Sequence, residues 1–486
     1  MSNGTDVRLS TGVKGIDEIM HGGLIRGNGY LLRGGPGAGK TVLGLHFLTA
    51  GAARGEKALF ITLVESTEQI RSNAKAMGFT LEGIDFLDIS PTKDFFVEGQ
   101  MYDLFSPADV ERDPLTQTIV TRVQALKPAT VFVDTMTQFR YLSPDLFQFR
   151  KQVVSFMRFL QENGCTVLFT SEQSAEAPDD HLQFIADGII DLDSILGLRS
   201  LEVTKFRGSD FRPGAHSMRL SQKGMEVFPR LMPDKHGKPY VSEIISSGVP
   251  ELDAMLHGGI ERGTVTLITG PCGVGKTTLG VLFLKEAAKR GERSLFYTFE
   301  ESRESILHRS ETIKIPVTSM IQHGLFSLVK IEPLQYTASE LTSIIRREVE
   351  ENNVRVICLD SISGYRLALK GEDLITQMHA LSRYLMNMGV TVILINEVES
   401  ITGDFSATEV GISYIADNII FMRYLEMAGE LRKSIGVLKK RLSDHEKLLR
   451  ELEITSQGVK VGKPLTTLRG ILSGMPTGLE TVKGGV

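Results

Sequence analysis

Gly34-Gly35-Pro36-Gly37-Ala38-Gly39-Lys40-Thr41 and Gly270-Pro271-Cys272-Gly273-Val274-Gly275-Lys276-Thr277 are two copies of one phosphate-binding loop, G-x-x-x-x-G-K-[ST]. Glycines let the backbone turn its N–H groups inward around phosphate oxygens. The lysine reaches the terminal phosphates, the hydroxyl faces a divalent cation, and the helix that follows turns its positive end toward the anion. A single match has a bland alternative, an ordinary strand-to-helix turn. Two matches, each inside a longer repeat, argue against it.

The repeat extends well beyond the loops. Upstream, Ser10-Thr11-Gly12-Val13-Lys14-Gly15-Ile16-Asp17 recurs as Ser246-Ser247-Gly248-Val249-Pro250-Glu251-Leu252-Asp253, and His21-Gly22-Gly23 recurs as His257-Gly258-Gly259. Downstream, Gly55-Glu56-Lys57-Ala58-Leu59-Phe60 recurs as Gly291-Glu292-Arg293-Ser294-Leu295-Phe296. All keep the offset of 236 residues that separates Lys40 from Lys276. The chain is therefore a tandem duplication of a unit large enough to bury its own core. The polar, Pro- and Gly-containing stretch Pro233–Pro239 reads as the linker. The expected domains are 1–237 and 238–472, with a short tail at 473–486.

Short apolar runs precede each loop, and helical patterns at Val42–Ala53 and Leu279–Ala288 follow. Further runs are Ala58–Val64 and Leu295–Phe299, Val131–Asp134 and Val356–Asp360, and Thr166–Thr170 and Thr391–Ile395. Continuous β-rich runs between helices imply parallel strands buried on both faces. Each half is expected to be an α/β domain of the RecA type, a mainly parallel sheet flanked by helices. Its ligand is expected at the C-terminal ends of the strands.

Composition is that of a soluble globular protein, with 42% hydrophobic and 23% charged residues. No apolar run is long enough for a membrane span, and Met1–Asp6 does not read as a secretory signal. Three cysteines fit a reducing, cytoplasmic setting better than a disulfide framework. Cys272, inside a loop, reads as a small tolerated residue rather than a redox centre. A net charge of −5 does not favour general nucleic-acid binding.

Asp134 and Asp360 each end an apolar run and precede a hydroxyl residue. With the loop residues Thr41 and Thr277 they are candidate ligands for Mg²⁺ beside ATP. Between loop and acid, the second half has Phe299-Glu300-Glu301-Ser302, where the first has Leu63-Val64-Glu65-Ser66. Glu300, Glu301 and Glu65 are candidates to polarise an attacking water or hydroxyl, with Glu300 also approaching the metal. Valine accepts no proton, so the two halves are expected to differ in turnover.

Together these features resemble the KaiC family of tandem RecA-like ATPases, over nearly the whole chain. Lys205-Phe206-Arg207-Gly208-Ser209 is similar to that family's K-x-R-G-[ST] segment, and Lys439-Lys440-Arg441-Leu442-Ser443 is similar to its second copy, with leucine for glycine. The segment Gly470–Thr477 resembles the family's C-terminal stretch. The resemblance implies nucleotide contacts from Gly35, Gly37, Ala38, Gly39, Lys40, Thr41 and Val42, and from Gly273, Val274, Gly275, Lys276, Thr277 and Thr278. It implies others, acting from a neighbouring subunit, at Lys205, Arg207, Ser209, Lys439, Arg441, Ser443 and His445. Alternate residues of a strand share a face, so each K-x-R pair is expected to point together. For the second copy a helical reading competes, because Leu438, Leu442, His445, Leu449 and Leu452 have 3–4 spacing. Strand is favoured.

The resemblance also implies a ring, with six subunits in the family, a possible KaiB-like partner, and autokinase activity in the second domain. The matching stretch is Gly411–Asp417. Ser413 stands at the family's phosphorylated serine, and Tyr414 stands where threonine is usual. Thr408 is a nearby hydroxyl. Packing residues between subunits are the bland reading of Ser413 and Tyr414. Two rival functions remain at this point. A RecA-like DNA recombination or repair ATPase would need a basic loop, for which Arg140–Arg150 and Arg366–Lys370 are sparse candidates. A nucleotide-gated scaffold with little turnover would suit Val64.

Overall fold

The computed structural model describes residues 8–90, 107–141, 143, 145–172, 179–195, 197–368, 374–398, 412–427, 429–466, 468–469 and 477–478. Thr408, Lys370 and most of the 473–486 tail lie outside these described residues. The chain divides into two compact units, Met1–Arg230 and Leu231–Val486. The Pro233–Lys235 turn packs within the second unit, where the Pro233 carbonyl accepts the Asn387 amide at 3.0 Å.

Each unit is built on a nine-stranded sheet. In the first, Gly188–Ile195, Gly29–Gly34, Thr166–Thr170, Thr130–Asp134, Ala58–Thr62 and Ile84–Asp88 lie side by side and parallel. In the second, Asn418–Met427, Val265–Gly270, Thr391–Glu397, Val354–Asp360, Arg293–Thr298 and Phe326–Lys330 do the same. Three antiparallel strands extend each sheet beyond this parallel block: Leu198–Phe206, His216–Ser221 and Gly224–Phe228, then Glu430–Lys440, Arg450–Thr455 and Gly458–Pro464. These are two RecA-like α/β folds. The expected strands are present within a few residues of their sequence bounds.

Apolar clusters fill both faces of each sheet, which accounts for the unbroken apolar runs of the central strands. The helices Lys40–Ala53 and Lys276–Lys289 lie on one face. A Cβ at Gly44 would come within 2.3 Å of the Phe132 ring, so glycine sets how closely the first helix seats on the sheet. The repeated S-x-G-x-x-x-x-D stretch is also explained. Asp17 accepts the Thr11 N–H at 2.8 Å and the Ser10 hydroxyl, and Asp253 accepts the Ser247 N–H at 2.7 Å and the Ser246 hydroxyl. The carboxylate folds the incoming chain over the short helix that follows.

His46, on the Lys40–Ala53 helix, accepts the Met225 N–H at 2.8 Å and meets the Phe79 ring edge-on. Burial pushes its pKa down from 6.5 to about 4. The unfolded chain thus takes up this proton at a higher pH than the folded chain. The contribution to stability is complete above pH 6.5 and is lost as the pH falls toward 4. His46→Gln should flatten the fall of the first unit's melting temperature across that window. Some slope should persist, because burial also depresses the His216 pKa. An unchanged slope in the variant would contradict this assignment.

Candidate nucleotide sites

Each phosphate loop connects the end of a central strand to the start of its helix. Gly39 and Gly275 close the loops at φ of 109° and 116°, in the left-handed region, and a Cβ on Gly275 would lie 2.2 Å from Ile454. Ala38 and Val274 bury their side chains in the core, so a phosphate contact at either position comes from the backbone. Thr278 is buried, whereas Val42 packs partly exposed on the core.

Both loops are tied to the sheet in the same way. The Thr41 hydroxyl donates to Asp134 at 2.7 Å, and the Thr277 hydroxyl donates to Asp360 at 2.6 Å. Thr170 donates to the other Asp134 oxygen at 2.7 Å. Asp360 is partly buried. Its desolvation, with Glu301 and Glu300 nearby, raises its pKa to about 6, although Thr277 and Lys276 pull the other way. A hydroxyl and a carboxylate side by side are hard oxygen donors suited to Mg²⁺, which completes its shell with phosphate oxygens and water.

The carboxylates at the strand exits have different partners. Glu300 accepts the Ser361 hydroxyl at 2.7 Å, and Ser361 in turn accepts the Gly364 N–H at 3.1 Å. Glu301 is held by Arg309 through two bonds of 2.7 Å. Glu300 is therefore the better-placed proton acceptor, because Arg309 already occupies both carboxylate oxygens of Glu301. In the first unit Val64 is half-exposed, and the Thr135 hydroxyl turns to the Thr170 carbonyl at 3.1 Å. Glu65 is exposed, and its carbonyl accepts the Thr62 hydroxyl.

A pocket of about 340 Å³ joins these groups in the second unit. Its lining brings together Gly273, Gly275, Lys276, Thr277, Thr278, Glu300, Glu301 and Asp360 from the sequence reading. It adds Arg309, Glu397, Lys433 and Ile454, which that reading missed. Four carboxylates and three cations line it, so the pocket alone carries about one negative charge.

Some of the missed groups had a signal in the repeat. Arg199 stands six residues before Lys205, as Lys433 stands before Lys439. Arg199 donates to the Gly37 carbonyl at 2.6 Å and Lys433 to the Gly273 carbonyl at 3.0 Å. Arg309 had none, because Asn73 occupies its place in the first half.

The two K-x-R pairs lie elsewhere. Lys205 is on the Leu198–Phe206 strand and Lys439 on the Glu430–Lys440 strand, each with its arginine just beyond, so the helical reading of the second copy does not hold. Register places them at the sheet edge opposite the loop. Tyr30 pairs with Gly188, which pairs with Phe206, whereas Gly34 at the loop pairs with Leu192. In the second unit Thr266 pairs with Asn418, which pairs with Lys440. Four residue steps along a strand separate the two edges by roughly 13 Å.

There the cations clasp one turn. Lys205 donates to the Gln183 carbonyl at 2.7 Å and Arg207 to the Phe184 carbonyl at 3.3 Å. Lys439 donates to the Ser413 and Ala416 carbonyls at 3.1 and 2.6 Å, and Arg441 to the Tyr414 carbonyl at 2.9 Å. Ser209 accepts Arg8 at 2.7 Å, Ser443 donates to Glu261 at 2.9 Å, and His445 lies 3.3 Å from the Lys447 ammonium.

Two phosphate loops on RecA-like sheets, each with an acid-terminated strand two places away, define a tandem nucleotide-binding ATPase. The chain belongs to the KaiC family: the ATPase model KaiC matches residues 9–232 and 245–466. It is 29% identical to the circadian clock protein KaiC3 of Synechocystis sp. (strain ATCC 27184 / PCC 6803 / Kazusa), covering 96% of this chain and 94% of that protein. It is 28% identical to the circadian clock oscillator protein KaiC of Parasynechococcus marenigrum (strain WH8102), covering 98% and 94%.

The unequal pairing of the two glutamates has a kinetic consequence. With the first loop silenced by Lys40→Ala, Glu300→Gln should lower phosphate release by roughly 10²–10⁴-fold, and Glu301→Gln by under about tenfold. Equal losses in the two variants, by a phosphate-release assay, would contradict the choice of Glu300.

Proposed function

We propose that the chain is an ATP-hydrolysing ring protein whose nucleotide sites are completed by a neighbouring subunit, with serine autokinase activity in the second unit. The observation that carries this reading is the placement of Lys439 and Arg441. They stand at the sheet edge away from their own loop and clasp the turn that holds Ser413. A head-to-tail arrangement brings this edge to the next subunit's loop and must close into a ring or run on as a filament. Kinship supports, as part of this proposal, a six-membered ring, a KaiB-like partner and a cytoplasmic, clock-type role. Among the described residues no helix is long and apolar enough to cross a membrane.

In this reading Thr41 with Asp134, and Thr277 with Asp360, would hold Mg²⁺, which would supply positive charge to offset that of the phosphates. Lys276 and the loop N–H groups fix the terminal phosphate, and Arg441 and Lys439 of the neighbour offset charge that the acidic pocket cannot. For hydrolysis Glu300 takes a proton from water. For phosphorylation it takes the proton of Ser413 Oγ as the new O–P bond forms and the bond to the β-phosphate oxygen breaks, leaving ADP. The phenolic oxygen of Tyr414 extends several ångströms beyond the point a serine oxygen occupies, and its ring lies 50% exposed beside His379.

The first unit lacks the Glu300 equivalent and is expected to turn over more slowly while still supporting assembly. A recombination ATPase is less well supported. Arg140 and Arg150 are separated by Asp145, and the second candidate stretch runs beyond the described residues.

Mass spectrometry and ³²P labelling after incubation with ATP·Mg²⁺ test the kinase assignment. Ser413→Ala should remove most incorporation, and Tyr414→Phe should leave it intact. Strong labelling of Ser413→Ala, or phosphotyrosine lost in Tyr414→Phe, would overturn it.

A further inference from the structure

The second loop lysine is held on two sides. Its ammonium donates to the Pro271 carbonyl at 2.8 Å and lies 3.7 Å from a Glu397 carboxylate oxygen. Lys276 is 6% exposed, and an ammonium so buried needs a counter-charge close by. Glu397 is fixed in place by the sheet. It ends the Thr391–Glu397 strand and pairs in register with Gly270, the first residue of the loop. Its side chain is 39% exposed, so it has room to turn away from the lysine.

The first unit offers an internal comparison. Glu172 occupies the corresponding place, and its N–H donates to Thr137 at 2.9 Å. Lys40, however, is bonded to the Gly34 and Gly35 carbonyls at 2.6 and 3.0 Å. Both units thus carry an acid beside the loop lysine, and in the second it forms an ion pair.

We infer that Glu397 is a positioning residue that sets the affinity of the second site for a nucleoside triphosphate, by competing with the terminal phosphate for the Lys276 ammonium. This rests on the reading of the second loop as a nucleotide site. A polyphosphate that draws Lys276 onto its β- and γ-oxygens must take it from Glu397. The carboxylate is then left facing the terminal phosphate, like charge against like charge, in a pocket already lined by Glu300, Glu301 and Asp360. A diphosphate lacks the group that lies nearest. Glu397 therefore weighs more heavily against ATP than against ADP, and favours release of a site that would otherwise hold triphosphate too tightly.

The test uses the full chain carrying Lys40→Ala, so that only the second loop reports. Binding of a fluorescent, non-hydrolysable ATP analogue and of the matching ADP analogue is measured against salt concentration. Glu397→Gln should tighten the ATP analogue about tenfold at low salt, with a smaller gain for the ADP analogue and a smaller difference at high salt. Glu397→Asp should stay within about threefold of the parent, because the charge is kept. Glu172→Gln, tested in a Lys276→Ala chain, should change affinity less than Glu397→Gln does. Unchanged or weaker binding of the ATP analogue by Glu397→Gln would overturn the inference, as would equal gains for the ATP and ADP analogues. Glu397→Ser provides the same comparison if the amide variant fails to fold. The parent reading fails separately. If the Lys40→Ala, Lys276→Ala chain binds the analogue as well as the Lys40→Ala chain does, the second loop is not the nucleotide site.

Discussion

In each unit one hydroxyl–carboxylate hydrogen bond joins the phosphate loop to the strand two places away: Thr41 to Asp134, and Thr277 to Asp360. The rest of the site depends on it. The bond holds the first turn of the helix against the strand ends and sets two hard oxygens side by side. Glu300 is then reached through the next residue, because Ser361 follows Asp360 and donates to it. Where the glutamate is missing, as at Val64, the corresponding Thr135 hydroxyl turns to a backbone carbonyl. One sequence difference thus changes the hydrogen bonding beside the loop without changing the fold.

The second constraint is electrostatic. Lined by four carboxylates and three cations, the second pocket is a poor host for a polyphosphate unless further positive charge arrives. The chain has such charge at Lys439 and Arg441, on the sheet edge opposite the loop. In the proposed ring, a site split in this way would link nucleotide binding to association. The same clasp holds the turn bearing Ser413, so in that proposal turnover, assembly and modification share one boundary. A phosphate on Ser413 would add about −1.5 to −2 charge beside those cations.

Much of the fold was legible because the loops, the acid-ended runs and the repeat all point to the same architecture. The parallel strands read as continuous apolar stretches because both of their faces are buried. The antiparallel extensions were harder to see. Strands such as Leu198–Phe206 mix buried and partly exposed positions and lack the unbroken apolar run that marks the central strands. The site was legible where chemistry demands a fixed local spacing, as at Lys40-Thr41. It was not where a contact is made by tertiary approach. Arg309 reaches Glu301 from the Arg303–Thr312 helix, and in the matching Thr67–Ala76 helix Asn73 takes its place. Glu397 meets Lys276 only because its strand lies beside the one that leads into the loop. The pairing of Glu301 was likewise invisible in the sequence, where the two adjacent glutamates look equivalent.

Completion of each site by a neighbouring subunit is the central claim, and the dependence of turnover on protein concentration tests it most directly. Phosphate release per chain should be measured across a dilution series with saturating ATP·Mg²⁺, alongside sedimentation of the same samples. The account predicts that release per chain falls in step with the loss of assembled species. Release per chain that stays constant down to concentrations where sedimentation finds only single chains would contradict it.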